Sequence, residues 1–112
     1  MKMAEEAVAV ARKIESVIEA LRVEGQRSKD LIIAEAESMR DYDKDIAIRE
    51  LALKTSGVAV TLINHQAKGG AADLLCDMIV AQKTLKAHWE RLKYLQAQLN
   101  GYQSIYRYLT HT

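Results

Sequence analysis

The acidic stretch DYDKD places Asp41, Asp43 and Asp45 at the first three ligand positions of a calcium-binding EF-hand loop. The pattern then fails: Ile46 stands where the tight turn needs Gly, and Ala52 where the bidentate Glu belongs. On a helix these three carboxylates point in different directions, so the plainer reading is a solvated acidic face that a partner could use. His65, His88 and His111 have neither HExxH spacing nor the companion Cys or carboxylate pattern of a zinc site. Cys76 has acidic neighbours, Asp73 and Asp77, and no basic group beside it to activate a nucleophile. The glycine-containing stretch KTSGVAVTLINHQAKGG, residues 54–70, is not a phosphate loop, because Lys68 precedes its glycines instead of following them. No catalytic residue, cofactor or metal is therefore expected, and enzyme activity is not.

A second group of residues could bind rather than react. Lys86, Trp89 and Lys93 recur at i, i+3 and i+7 on one helical face, with Lys83, Arg91, Tyr94, Arg107 and Tyr108 around them. Cations interleaved with rings can hold phosphates and stack on bases, or meet an acidic partner. The competing and favoured reading is packing: Trp89 and Tyr94 widen a buried seam while the lysines snorkel outward. His88 sits on that seam, where a satisfied interior histidine is the usual occupant.

These side chains must be carried by helices. The 112 residues form one domain, 49% hydrophobic and 28% charged, without Pro or Phe. Net charge is only +1, so no global field draws nucleic acid or an anionic membrane. The charge is nevertheless uneven. Residues 28–50 hold seven acids against four bases, and residues 81–112 hold five bases with Glu90 as the one acid. A lone cysteine suits a reducing compartment, the opening MKMAEEAVAV lacks the apolar run of a secretory leader, and no apolar run is long enough to span a membrane. A cytoplasmic setting is the expectation, the host cytoplasm if the chain is phage-encoded.

In the first arm, Ala7, Ala11, Ile14, Ile18, Leu21, Ile32, Met39, Tyr42, Ile46 and Leu53 fall on a heptad comb, with Gly25 and Ser28 in phase between them. One long, kinked helix is the favoured reading; the other is a turn at Gly25 with Ser28 capping a second helix. In the second arm Leu74, Met78, Ala81, Leu85, His88, Leu92, Leu95, Leu99, Tyr102, Tyr106 and Leu109 alternate steps of four and three without a slip, straight through Asn100-Gly101. Between the arms, Gly57 is placed to end a helix, Thr61 to cap a short turn over residues 62–67, and Gly69-Gly70 to end it. Val58, Val60, Leu62 and Ile63 would plug the end. The reading is all-α, a long antiparallel helical hairpin or coiled-coil bundle, its first arm broken near Gly25 in the alternative. Arm one covers 4–55, the corner 56–70 and arm two 71–111. Folding about Ile63 would make facing residue numbers sum to about 126, setting Gly25 opposite Gly101 and Ile18 near Tyr108.

The segments LALKTSGVAVTLINHQAKG and AQKTLKAHWERLKYLQAQLNGYQSIYRYL resemble those of small helical proteins of phages and integrated mobile elements. There, a helix leads into a Gly-x-x-Val-Thr-Leu corner, a Lys-Gly or Arg-Gly pair, and a long helix rich in Leu and Gln. Gly57, Val60, Thr61, Leu62, Lys68 and Gly69 carry the match. The resemblance implies a phage or mobile-element origin among early genes, often near recombination functions, and brings no catalytic residues. The aromatic end GYQSIYRYLTHT departs from it. The expectation is a self-associating, non-catalytic protein that binds a host or defence protein as an inhibitor or adaptor. The alternative is a small DNA-binding accessory of a recombination or replication module.

Overall fold

The structure is a computed structural model and describes residues 2–111. Four helices follow one another: α1 (Lys2–Gln26), α2 (Ser28–Thr55), α3 (Val60–Gly70) and α4 (Ala72–Thr110), with no strand among the described residues. The first arm is interrupted. Its interruption falls at Arg27, where the Arg27 amide donates to Glu24 O at 3.1 Å in a tightened turn, two residues beyond the expected Gly25. Gly101 does not interrupt α4. There, Gln96 Nε2 donates to Asn100 Oδ1 at 3.1 Å, so the Asn side chain is engaged along the helix surface instead of competing for the backbone.

Helix α2 ends in a two-bond glycine motif. Val58 N–H donates to Leu53 O at 3.1 Å and Gly57 N–H to Lys54 O at 3.2 Å, with Gly57 in the left-handed region at φ 80°. These are the six-to-one and five-to-two bonds that satisfy orphan carbonyls at a helix end. The chain therefore reverses over residues 56–59, not around Ile63. Thr61 caps nothing: α3 begins at Val60 behind Ala59, which makes no side-chain cap bond. Nor do Val60 and Leu62 plug the end, since they are 84% and 48% exposed. Helix α3 does stop at Gly70 as expected, yet the Ala71 amide still donates to Ala67 O, so α3 leads into α4 as part of the second arm.

Packing divides the chain into two units, one made of residues up to Ser28 with those from Lys86 onward, the other of Lys29–Leu85. In the first unit, α1 lies antiparallel to the C-terminal part of α4. Glu24 meets His88, Ser28 meets His88 and Lys13 meets Tyr102, pairs whose numbers sum to 112, 116 and 115. The expected sum of about 126 is thus corrected, and with it the facing of Gly25 by Gly101 and of Ile18 by Tyr108. An earlier reversal, at Gly57, has the same consequence by geometry. The seam contains Val17 and Leu95, 7% and 3% exposed, with half-buried Ile14, Leu21, Leu92, Leu99 and Tyr102.

The comb on the first arm needs a second correction. Ile18, Ile32 and Met39 are 50%, 46% and 40% exposed, while Val17, Leu31 and Ser38 turn inward. Residues 14, 21 and 28 anchor two possible alternations, one adding positions 17 and 24, the other 18 and 25. His88 decides between them: a buried imidazole needs hydrogen-bond partners, which Glu24 offers and Gly25 does not.

The second unit packs α2 against α3 and the start of α4. Ala67 and Ala71 are its buried residues, 0% and 1% exposed, and Leu74, Met78, Ala81 and Leu85 are half-buried. The inward line of α2 is mixed, with Leu31, Glu35, Ser38, Tyr42 and Asp45 all half-buried. Arg49 donates to Asp45 Oδ2 at 2.6 Å, and its guanidinium lies against Gly70, where a Cβ would collide with it.

Candidate interaction surfaces and the buried polar layer

The most built cluster in the molecule is the polar layer of the first unit. His88 is 2% exposed. Its Nδ1–H donates to Glu24 Oε1 at 2.9 Å, and its Nε2 shares a hydrogen bond of 2.7 Å with the Ser28 hydroxyl. Glu24 Oε1 also accepts from Arg27 at 3.1 Å, and the Trp89 ring sits 5.0 Å from the imidazole, tilted by 53°. The hydrogen bond from His88 is the main reason the Glu24 carboxyl is held below its usual range, with Arg27 adding to it.

Carboxylate, imidazole and hydroxyl in this order also describe the relay that activates a serine nucleophile. Here the imidazole faces the inside of a helix pair, and a nucleophile has to present its oxygen to a substrate carbon beside donors for the developing oxyanion. What the layer does physically is fix register. A slip by one heptad would bury His88 against Val17 or Leu31, with no partner for either ring nitrogen. The histidine was legible on the seam; its partners were less so, although Ser28 already stood in phase.

The basic and aromatic residues are exposed rather than packed. Tyr94 and Tyr108 are 56% and 76% exposed, so the expectation that Tyr94 widens a buried seam is corrected; Trp89, against His88 yet 40% exposed, does both. Lys86, Lys93 and Arg107 recur in sevens along one outward line of α4, each of the last two preceding one of those tyrosines. Arg91 faces a different way, into a shallow groove of about 270 Å³ that it shares with Lys13, Ser16, Val17, Ala20, Leu95, Gln98 and Tyr102. Lys13 stands 5.7 Å from the Tyr102 ring centroid there, a cation–π contact the sequence did not single out. Lys83 is exposed and belongs to the other unit.

The three aspartates do not share one face. Asp45 is half-buried and paired with Arg49, Asp41 accepts from Arg40 at 3.2 Å, and Asp43 is exposed. No group of three or more potential metal ligands gathers among the described residues. Cys76, His65 and His111 are exposed and far from one another in sequence. No helix among the described residues is long and apolar enough to cross a membrane.

Among the described residues four apolar side chains are buried, whereas eighteen large ones are exposed. In the second unit these include Ile48 at 58% and Leu51 at 66% near the end of α2, and Val60 and Leu62 just past the reversal. No family model, characterised protein or solved structure matches the chain.

Proposed function

We propose that this chain is a non-catalytic helical interaction protein of phage type, acting on a host or defence protein as an inhibitor or adaptor. The observation that carries the reading is that, among the described residues, eighteen large hydrophobic side chains are exposed while only Val17 and Leu95 of that size are buried. Contiguous exposed apolar surface on a protein usually marks a place where another molecule docks. The end of the second unit is the docking point we favour. Ile48 and Leu51 fall one helical turn apart on α2, and Val60 and Leu62 follow the reversal within a few residues, so apolar groups crowd a short length of chain. The phage setting comes from the corner motif Gly57, Val60, Thr61, Leu62, Lys68 and Gly69 alone.

Affinity capture from the natural host tests this reading. A partner should be retained by the native chain and lost on Ile48→Glu with Leu51→Glu, at unchanged helicity. Retention by the double variant would remove the proposed docking point, and absence of any retained protein would remove the reading.

A second reading has its own observation: Lys86, Lys93, Arg107, Tyr94 and Tyr108 are all exposed on α4. Rings and cations in that arrangement suit single-stranded nucleic acid. A salt titration separates the two. DNA binding should weaken steeply with salt and weaken further in Lys86→Glu with Lys93→Glu; no binding at low salt discards it.

A further inference from the structure

A groove runs along one flank of the seam between α1 and α4, inside the first unit. Its floor contains the buried Val17 and Leu95, and its rim is polar, with Lys13 and Ser16 from α1 and Arg91 and Gln98 from α4. Positions that flank the seam of paired helices ordinarily carry cations and carboxylates that meet across it. Here no carboxylate lines the groove, and neither Lys13 nor Arg91 has an ion-pair partner among the described residues. By contrast, the groove of about 290 Å³ beside Val8 and Tyr106 holds Arg12 together with Glu15. A space of about 270 Å³ whose only formal charges are positive suits an anionic occupant.

Spacing sets the length of that occupant. Lys13 stands against the ring of Tyr102, and Arg91 lies eleven residues before Tyr102 on α4, about 16 Å along the helix axis. Side chains lean toward the N-terminus of their own helix, so on antiparallel helices these two cations lean apart. They cannot clamp one small anion between them. A nucleic-acid strand, with about 3.4 Å or more between successive charges, carries several phosphates over that length. Tyr94 favours a strand over an acidic helix. It lies between Arg91 and Gln98 on the same side of α4, its hydroxyl accepts from Gln98 Nε2 at 3.2 Å, and its ring is 56% exposed. A fixed, exposed ring one turn from a phosphate-binding cation is a platform for a base, whereas an acidic helix has no flat group to lay on it.

We infer that this groove is a track for a single nucleic-acid strand: Lys13 and Arg91 each hold a phosphate, Ser16 and the remaining amide hydrogen of Gln98 donate to the strand between them, and a base stacks on Tyr94. The track rests on the nucleic-acid reading of α4 and adds to its outward lysines a groove with α1 as the second wall.

Fluorescence anisotropy of the full chain with a labelled oligothymidylate lacking terminal phosphates tests it. The strand should bind at low salt. Lys13→Gln with Arg91→Gln should weaken binding at least about tenfold and reduce the slope of log affinity against log salt by about 1.4, two phosphates at about 0.7 each. Tyr94→Ala should weaken binding at least about fivefold with the slope unchanged. Circular dichroism follows helicity, and if the double variant unfolds, Tyr94→Ala decides. Polyglutamate of equal charge should displace the strand poorly. Binding that either folded variant leaves unchanged, or that polyglutamate displaces as well as an unlabelled strand does, overturns the track. If Lys86→Glu with Lys93→Glu abolishes such binding, the nucleic-acid reading of α4 stands without the groove. Absence of any binding at low salt removes both.

Discussion

Glu24 and His88 meet across the seam between α1 and α4, the imidazole Nδ1–H donating to the carboxylate at 2.9 Å while Ser28 occupies the other ring nitrogen at 2.7 Å. A buried ring with both nitrogens engaged holds two helices at one level, and losing it leaves a cavity and two polar groups without their partner. His88→Ala should therefore cost about 2–3 kcal/mol at fixed protein concentration. Urea unfolding followed by circular dichroism measures this. A loss within the scatter of a surface substitution would mean that the layer contributes nothing to the pairing.

The same contact makes stability depend on acid in a definite direction. Glu24 is held below its ordinary value of 4.5, first by the hydrogen bond from His88, so the unfolded chain binds a proton more readily than the folded one. Its contribution is complete above the unfolded value and disappears as pH falls through the lower folded value. Glu24→Gln keeps an acceptor for His88 but removes the titration. The difference in melting temperature between native and variant proteins should be constant near neutrality and shrink below about pH 4.5. A gap that widens in acid would contradict the assignment of the carboxylate to His88. Glu19 is also lowered, by its hydrogen bond to Arg22, but that pair is exposed and screened by solvent.

Burial separates two leucines. Leu95, 3% exposed on the α4 seam, should lose about 2–4 kcal/mol on substitution by Ala, whereas Leu51, 66% exposed, should change by less than about 0.5 kcal/mol. Denaturant midpoints of the two variants check this directly. Equal losses would place Leu51 in a core.

The second arm was legible from Leu74 to Leu99, because one line of large apolar residues dominates it there: the alternation leaves no rival phase, and these positions are buried or half-buried, whereas Tyr106, farther along the same line, is 37% exposed. The first arm was not, because residues 14, 21 and 28 support two alternations and the larger side chains, Ile18, Ile32 and Met39, lie on the outward one. Choosing between them needs the level at which the arms meet, which is set by a non-local pair, Glu24 with His88. The register was misread for a related reason. Val58, Val60, Leu62 and Ile63 resemble a plug, and the corner was centred there, whereas Gly57 with its φ of 80° already completes the reversal. The basic and aromatic surface was legible as composition; its exposure was not, since a ring beside a heptad line can turn either way.

Three glycines distinguish a turn from a tolerated helix interior, and the predicted signs are opposite. Gly57 has φ 80°, a conformation in which a Cβ meets the backbone, so Gly57→Ala should destabilise by about 1–2 kcal/mol although nothing lies within 4 Å of the added atom. Gly25 and Gly101 lie inside α1 and α4 with open space around them, and there Ala removes the backbone entropy that Gly loses on folding. Each should stabilise by about 0.5–1 kcal/mol. Gly25 is the more demanding test, being two residues from the interruption at Arg27. If the interruption were a glycine hinge, Gly25→Ala would continue α1 through Arg27 and pull Glu24 and Ser28 away from His88, lowering the melting temperature instead of raising it. A gain there, with a loss at Gly57, assigns the interruption to the Glu24, Arg27 and Ser28 contacts and the reversal to Gly57.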